Sequence, residues 1–273
     1  MPELPEVETI RRMLEPKIVG RTISVCAVYL ERMIKSPTAT EFIERVTGAK
    51  IIALNRRGKF LLLNISTGLI VIHLRMTGRL VLRDIGEAAD KYRRVEFVLD
   101  NETALTYADT RTLGTLHYFA GENAVSIGCL RTMGPEPLSS QFTEAKLQQA
   151  LSASARTIKA LLLDQSVIGG LGNIYVDEAL FVAEIKPTRS GKSLNVDEIT
   201  ALYVAINSTI AKAIANCGTS FRDYVDGAGN KGHNQDELLV YGRKNQQCVH
   251  CDSPILYGRV AGRGTHWCEQ CQK

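Results

Sequence analysis

The sequence predicts an α+β protein, with a β-sandwich domain in its N-terminal half and a helical domain in its C-terminal half. Three observations carry this. Short apolar runs separated by turn residues fill residues 22–120, at the spacing of a β-sandwich or barrel. Beyond residue 140 the apolar residues recur at helical spacing. Between the two lies GCLRTMGPEPLSS (128–140), whose glycines, prolines and serines suit a hinge. The expected domains are therefore 1–128, a linker at 129–140, a helical domain at 141–240, and a C-terminal cysteine-rich module at 241–273.

The elements follow in order. In EVETIRRMLEPKIV (6–19), Val7, Ile10, Leu14 and Ile18 can share one helical face, and Gly20 stops the helix. Pro5 is expected at the first helical position, with Glu6 and Glu8 at the positive end of the dipole. Strands are expected at Thr22–Tyr29, Lys50–Leu54, Phe60–Ile65, Leu69–Leu74, Arg79–Leu82, Arg94–Leu99, Ala104–Ala108 and Thr115–Phe119, with a helix at 39–47. Further helices are expected at about 143–152, 156–164, 173–183 and 196–216. Before the third of these stands QSVIGGLGNIYVD (165–177). Gly169, Gly170 and Gly172 let backbone approach a ligand, and Asn173 is placed to cap the helix. Exposed amides at such a start bind phosphate, although the same residues also make an ordinary helix start.

Composition narrows the class. With 45% apolar residues the chain can bury a sizeable core, and a net charge of +4 leans mildly towards anionic partners. No apolar run reaches about 18 residues, and the first 30 carry acids without a signal peptide's apolar core, so a soluble, cytoplasmic protein without membrane partners is expected. Seven cysteines in such a chain point to metal or free thiols rather than disulfides. Cys26, Cys129 and Cys217 are isolated and read as buried thiols. Cys248, Cys251, Cys268 and Cys271 form C-x2-C-x16-C-x2-C, two chelating turns that complete a tetrahedron around one structural zinc ion. Pro254, Gly258, Gly262 and Gly264 suit a β-hairpin between them, and four thiolates leave His250 and His266 without a ligand role. Arg263 at the hairpin tip is either a phosphate or groove probe or a solvated basic residue.

Four basic turns mark the N-terminal half: 55–59 (NRRGK), 73–79 (HLRMTGR), 91–94 (KYRR) and 109–114 (DTRTLG). Each alone reads as a solvated turn. Together they suggest one cationic surface with Met76 and Leu113 exposed among the charges. Apolar wedges flanked by arginine suit the gap left when a base leaves the stack. Helix-start chemistry does not explain Pro2 and Glu3. Removal of Met1 would leave Pro2 as the terminus, and an α-amine titrating near about 8 is largely available as a neutral nucleophile. Glu3 beside it could move a proton.

The chain resembles the bacterial formamidopyrimidine-DNA glycosylases, also called 8-oxoguanine DNA glycosylase/AP lyases. The motifs run end to end: PELPEVET, RRGK, HLRMTG, a DxRxxG loop, GPEPL, GLGNIYVDE, ELLVYGR and AGRGTHWC. The resemblance implies a β-sandwich joined to a helix–two-turns–helix domain with a zinc-finger hairpin, acting as a monomer on damaged double-stranded DNA in the bacterial cytoplasm, at the nucleoid. It implies that Pro2 attacks C1′ of the damaged nucleoside and that Glu3 is the general acid, with Glu6 supporting the site. Lys59 would contact lesion and phosphate and assist elimination. Arg263 would donate a proton in δ-elimination, and Lys159 and Asn173 would bind phosphate. Met76 and Arg111 would fill the void and face the estranged base. The loop 218–236 would cover an extruded base.

The chain departs from the family pattern in places, Ala160 replacing a frequent proline after Lys159 among them, and two departures bear on DNA contact. Leu113 replaces a phenylalanine wedge, and Tyr92 stands where a DNA-contacting histidine is expected, with Arg93 or Arg94 to compensate. Lesion rank order and opposite-base preference stay open for this reason. So do an endonuclease VIII-like glycosylase acting on oxidised pyrimidines, a non-catalytic zinc DNA-binding module and, least favoured, a zinc-stabilised protein-interaction domain.

Overall fold

The first element is Leu4–Ile18 (α1); the computed structural model describes residues 2–121, 128–221 and 223–273, without the side chain of Cys129. Met1, whose removal would free Pro2, and the thiol of Cys129 lie outside the described residues. Glu3 is the N-cap of α1, and Pro5 takes the second helical position rather than the expected first. Val7, Ile10, Leu14 and Ile18 are fully buried, as their spacing requires.

The strands of the first half are Ile23–Val28 (β1), Ile34–Ser36 (β2), Ile51–Arg57 (β3), Phe60–Ile65 (β4), Gly68–His73 (β5), Gly78–Asp84 (β6), Arg93–Leu99 (β7), Thr103–Asp109 (β8) and Thr115–Ala120 (β9); α2 is Ala39–Val46. They make two sheets. One has the order β2-β9-β5-β4-β3 and the other β1-β7-β8-β6. All pairings are antiparallel except β2 with β9. The core between them joins Leu61, Leu63, Ile70 and Ile72 of one sheet to Val95, Phe97, Leu105 and Tyr107 of the other, with α1 and Phe42 of α2. This is the expected sandwich. The three-residue β2 was not expected, because IKS alone shows no alternation.

The supposed hinge opens on one helical turn, Gly128–Arg131 (α3). Glu144–Ser152 (α4), Ile158–Leu163 (α5), Asn173–Val182 (α6) and Val196–Ala215 (α7) follow. Thr143 and Thr157 accept the backbone amides of Lys146 and Ala160 and so start α4 and α5. The chain closes with the hairpin Leu256–Val260 (β10) and Arg263–Trp267 (β11). Its two turn residues, Ala261 and Gly262, have φ of 51° and 72°. Positive φ at both centres is the type I′ pattern that matches strand twist.

The chain divides into two units that do not follow the expected boundaries. The first is 1–131 with 216–233, and the second is 132–215 with 234–273. Segment 216–233, expected in the helical domain, belongs to the sandwich unit for visible reasons. Tyr224 is part of its core, the Gly227 carbonyl accepts from the Leu82 amide at 3.0 Å, and the Thr219 amide donates to Glu6 at 2.8 Å. The cysteine module clusters with the helices because Phe181 of α6 packs with Val240, Ile255, Cys248 and Cys268.

Candidate active site

Pro2, Glu3 and Glu6 are all buried at the head of α1. The helix start places them: Glu6 sits one turn in, and its Oε2 accepts the Glu3 amide at 2.7 Å. Its other oxygen accepts the Thr219 amide at 2.8 Å. One carboxylate thus fixes the backbone of the terminal segment against the loop at 216–233. The sequence signalled Glu6 as a helper and gave no sign of Thr219, more than two hundred residues away. Within that loop, Asp226 accepts the amides of Ala228 and Asn230, both at 2.9 Å, making a closed turn, while Phe221 is exposed.

Lys59 occupies the second position of the two-residue turn between β3 and β4 and is 8% exposed. Nearby, His73 at the end of β5 packs against the Phe60 ring at 4.4 Å. Burial, with Arg75 and Lys59 adding their charges, pushes its imidazole down to about 3. It is therefore neutral at physiological pH, with a buried Nδ1 that has no hydrogen-bond partner among the described residues. The HLRMTG motif carries His73 without marking it for a role; its residue type within a basic turn is the available signal.

Asp109 organises the DTRTLG turn. Fully buried, it accepts the Thr77 hydroxyl at 2.5 Å and the amides of Arg111 and Gly114 at 3.1 and 2.9 Å. This holds Leu113 outward, 45% exposed, and Met76 likewise at 42%. Arg111 Nη1 lies 3.4 Å from Met76 Sδ, so two of the three expected void-filling residues touch. The Tyr92 ring is half-buried, with Lys91 and Arg94 over it at 4.9 and 5.8 Å.

The second unit carries two corrections. Asn173 does not cap α6; Gly172 is the N-cap, and Asn173 Nδ2 instead donates to the Gly264 carbonyl at 2.8 Å. Lys159, expected at a phosphate, is fully buried. Its ammonium bonds Asp177 at 2.6 Å and the same Gly264 carbonyl at 3.1 Å. Asp177 Oδ2 in turn accepts the His266 amide at 2.9 Å. Lys159 therefore seats the hairpin next to Arg263, which is exposed at the start of β11, and has no path to solvent. Cys248, Cys251, Cys268 and Cys271 present sulfurs all within 4.8 Å of one another. The pairs 248–271 and 251–268 are 3.8 and 3.5 Å apart. Zinc–sulfur bonds of about 2.3 Å imply tetrahedral edges near 3.8 Å, so the four thiols fit a metal ion. Cys26 is buried, as expected, and Cys217 only partly.

Comparison with known proteins bears on this geometry. The formamidopyrimidine-DNA glycosylase N-terminal domain model matches residues 1–116, and the formamidopyrimidine-DNA glycosylase H2TH domain model matches 133–225. The chain belongs to the formamidopyrimidine-DNA glycosylase family. It is 44% identical to that enzyme from Carboxydothermus hydrogenoformans over 100% of both chains. Among solved structures it is similar to a Lactococcus lactis Fpg mutant bound to DNA containing Fapy-dG, with TM-score 0.92, 36% identity and full coverage of both chains. The wild-type Lactococcus lactis enzyme in complex with DNA containing an oxidised pyrimidine matches equally, at TM-score 0.92 and 36% identity over both full chains. Family membership makes the chain a DNA-repair glycosylase and excludes the zinc protein-interaction reading. No helix among the described residues is long and apolar enough to cross a membrane.

Proposed function

We propose that this enzyme excises oxidised purines, 8-oxoguanine and formamidopyrimidines, from duplex DNA through an imine to Pro2, and then cuts the strand by β,δ-elimination. The observation that carries the reading is the buried Pro2–Glu3–Glu6 cluster, in which Glu6 holds the Glu3 backbone against the loop at 216–233.

With Met1 removed, the secondary amine of Pro2 attacks C1′ as the N-glycosidic bond breaks. Glu3, 2% exposed beside the terminal amine, is the general acid. The base departs with the proton lost by the Pro2 amine, and Glu3 protonates O4′ as the C1′–O4′ bond opens, leaving an iminium between Pro2 and C1′. The resulting iminium draws electrons from C2′, whose proton is lost as the 3′ phosphate leaves. A second elimination expels the 5′ phosphate. Lys59 approaches the lesion and its phosphate from the β3–β4 turn. Asn173 and Arg263 serve the DNA backbone, and Met76, Arg111 and Leu113 occupy the space of the extruded nucleotide. Tyr92 contacts backbone phosphate.

Zinc bound by Cys248, Cys251, Cys268 and Cys271 crosslinks both ends of the cysteine module and supplies folding energy rather than chemistry. The enzyme works as a monomer in the bacterial cytoplasm, and its domains follow the two units of the fold. A second reading rests on the Lactococcus lactis complex with an oxidised pyrimidine. Leu113, in place of an aromatic wedge, leaves room for oxidised pyrimidines in the substrate range.

Borohydride trapping on a duplex with one 8-oxoguanine opposite cytosine, with intact-mass analysis of the N-terminus, tests the proposal. A covalent adduct is expected, absent in Pro2→Gly and reduced in Glu3→Gln. No adduct from a processed chain overturns the 8-oxoguanine assignment. Adducts formed only with an oxidised pyrimidine select the second reading.

A further inference from the structure

Glu8 is the third acid of the N-terminal segment. Its side chain is 10% exposed and accepts from three arginines: Arg11 at 2.8 and 3.0 Å, Arg12 at 2.7 Å and Arg56 at 3.1 Å. Arg11 and Arg12 lie on the same helix. Arg56 does not; it is on β3, its side chain 13% exposed, and it carries the contact onward. Its Nη1 donates to the Gly58 carbonyl at 2.9 Å.

That carbonyl belongs to the Gly58–Lys59 peptide, the central peptide of the two-residue turn closed by the Arg57–Phe60 pair. Gly58 has φ of 55°, the glycine-first pattern of a type II′ turn. The central peptide is the one whose rotation interconverts turn types, and its plane sets where the next Cα directs its side chain. A charged donor on its oxygen, itself held by a buried carboxylate, fixes that plane.

We propose that Glu8 and Arg56 are positioning residues for Lys59, a relay from α1 through a backbone carbonyl that holds the lysine in its working direction. The inference rests on the assignment of Lys59 to lesion and phosphate contact. Burial pushes the Glu8 carboxyl up, and the bonds from Arg11, Arg12 and Arg56 outweigh it and hold it at about 2, so the relay is charged across the working pH range. Glu8→Gln keeps shape and removes the charge. Arg56→Lys keeps charge and removes the fork that reaches both partners. Neither touches the DNA in the assigned mechanism.

The test is a double-mutant cycle on the full-length zinc-loaded enzyme, read as single-turnover excision of 8-oxoguanine from duplex DNA, with thermal unfolding to confirm folding. Glu8→Gln and Arg56→Lys are each expected to slow excision by about 10-fold, the scale of a small misplacement of a reacting group. In a Lys59→Ala chain the same substitutions are expected to cost less than about twofold, because the residue they position is gone. Glu8→Asp is expected to recover part of the rate. Two results overturn the relay while leaving Lys59 in place: Glu8→Gln at the parent rate beside an impaired Lys59→Ala, or a Glu8→Gln loss repeated undiminished in the Lys59→Ala background. A fully active Lys59→Ala overturns the Lys59 assignment itself and the relay with it. If Glu8→Gln unfolds the chain, Arg56→Lys carries the cycle alone under the same criteria.

Discussion

A methyl group added at Gly114 would lie 1.7 Å from the Tyr107 hydroxyl and 2.9 Å from the His73 carbonyl. Tyr107 is fully buried and bonds Asp109, so it cannot step aside without disturbing the carboxylate that holds Met76 and Leu113 outward. Gly114→Ala is predicted to destabilise the fold by about 1–3 kcal/mol in urea unfolding and to weaken binding to lesion DNA more than Leu113→Ala does. Glu8 gives a pH prediction. Its carboxyl is lowered to about 2, so its contribution is present above the unfolded carboxylate range and is lost as pH falls from about 4.5 to 2. Melting temperatures measured down that range should fall less steeply in Glu8→Gln than in the parent. The clustering of the four cysteines was readable because their spacing is local. Lys159 was not. The family resemblance placed it at a phosphate, and only the fold brings Asp177, eighteen positions on, against its ammonium and turns it inward.

At the scale of elements, legibility followed periodicity. The strands from β4 to β9 and the helices α2, α4, α6 and α7 fall within a few residues of their expected places, because each is a sustained apolar or periodic run bounded by turn or cap residues. β2 escaped because it is short and pairs in parallel with β9, a partner some eighty residues away. The cysteine module is the opposite case, legible from four residues. Its own apolar content is small. Besides Cys248 and Cys268, its cluster holds Phe181, Val240 and Ile255, with Leu239 and Cys271 packed alongside. A metal crosslink is then a large share of what orders it. Stripping metal with a strong chelator is predicted to abolish DNA binding while leaving most of the far-ultraviolet circular dichroism of the sandwich unchanged. Zinc analysis before and after, with a Cys271→Ser chain as the genetic counterpart, checks this. Binding that survives full metal loss would remove the module from the DNA interface.

For the whole molecule, the linear order of domains and the order in space differ. The sequence places one hinge at 128–140, and an experimenter following it would cut there. The fold argues against that cut. The sandwich unit is completed by 216–233, which is reached only after the chain has built α4 to α7. That segment supplies Tyr224 to the core, an amide to Glu6 and a carbonyl to Leu82 on β6. Without it, Glu6 loses the Thr219 amide from a site 1% exposed, and a buried carboxylate short of a donor is costly. Fragment 1–140 is therefore predicted to be several kcal/mol less stable than the same unit in the full chain, enough to leave it largely unfolded or aggregated at 37 °C. Rejoining 216–233 to it through a flexible glycine–serine linker should restore a cooperative urea transition. A Glu6→Gln substitution should weaken that rescue, because the neutral amide is a poorer acceptor for the Glu3 and Thr219 amides. If fragment 1–140 instead unfolds cooperatively at the urea midpoint of the full chain, segment 216–233 is an accessory to the active site rather than part of the unit that builds it. Glu6 must then be held by the terminal helix alone.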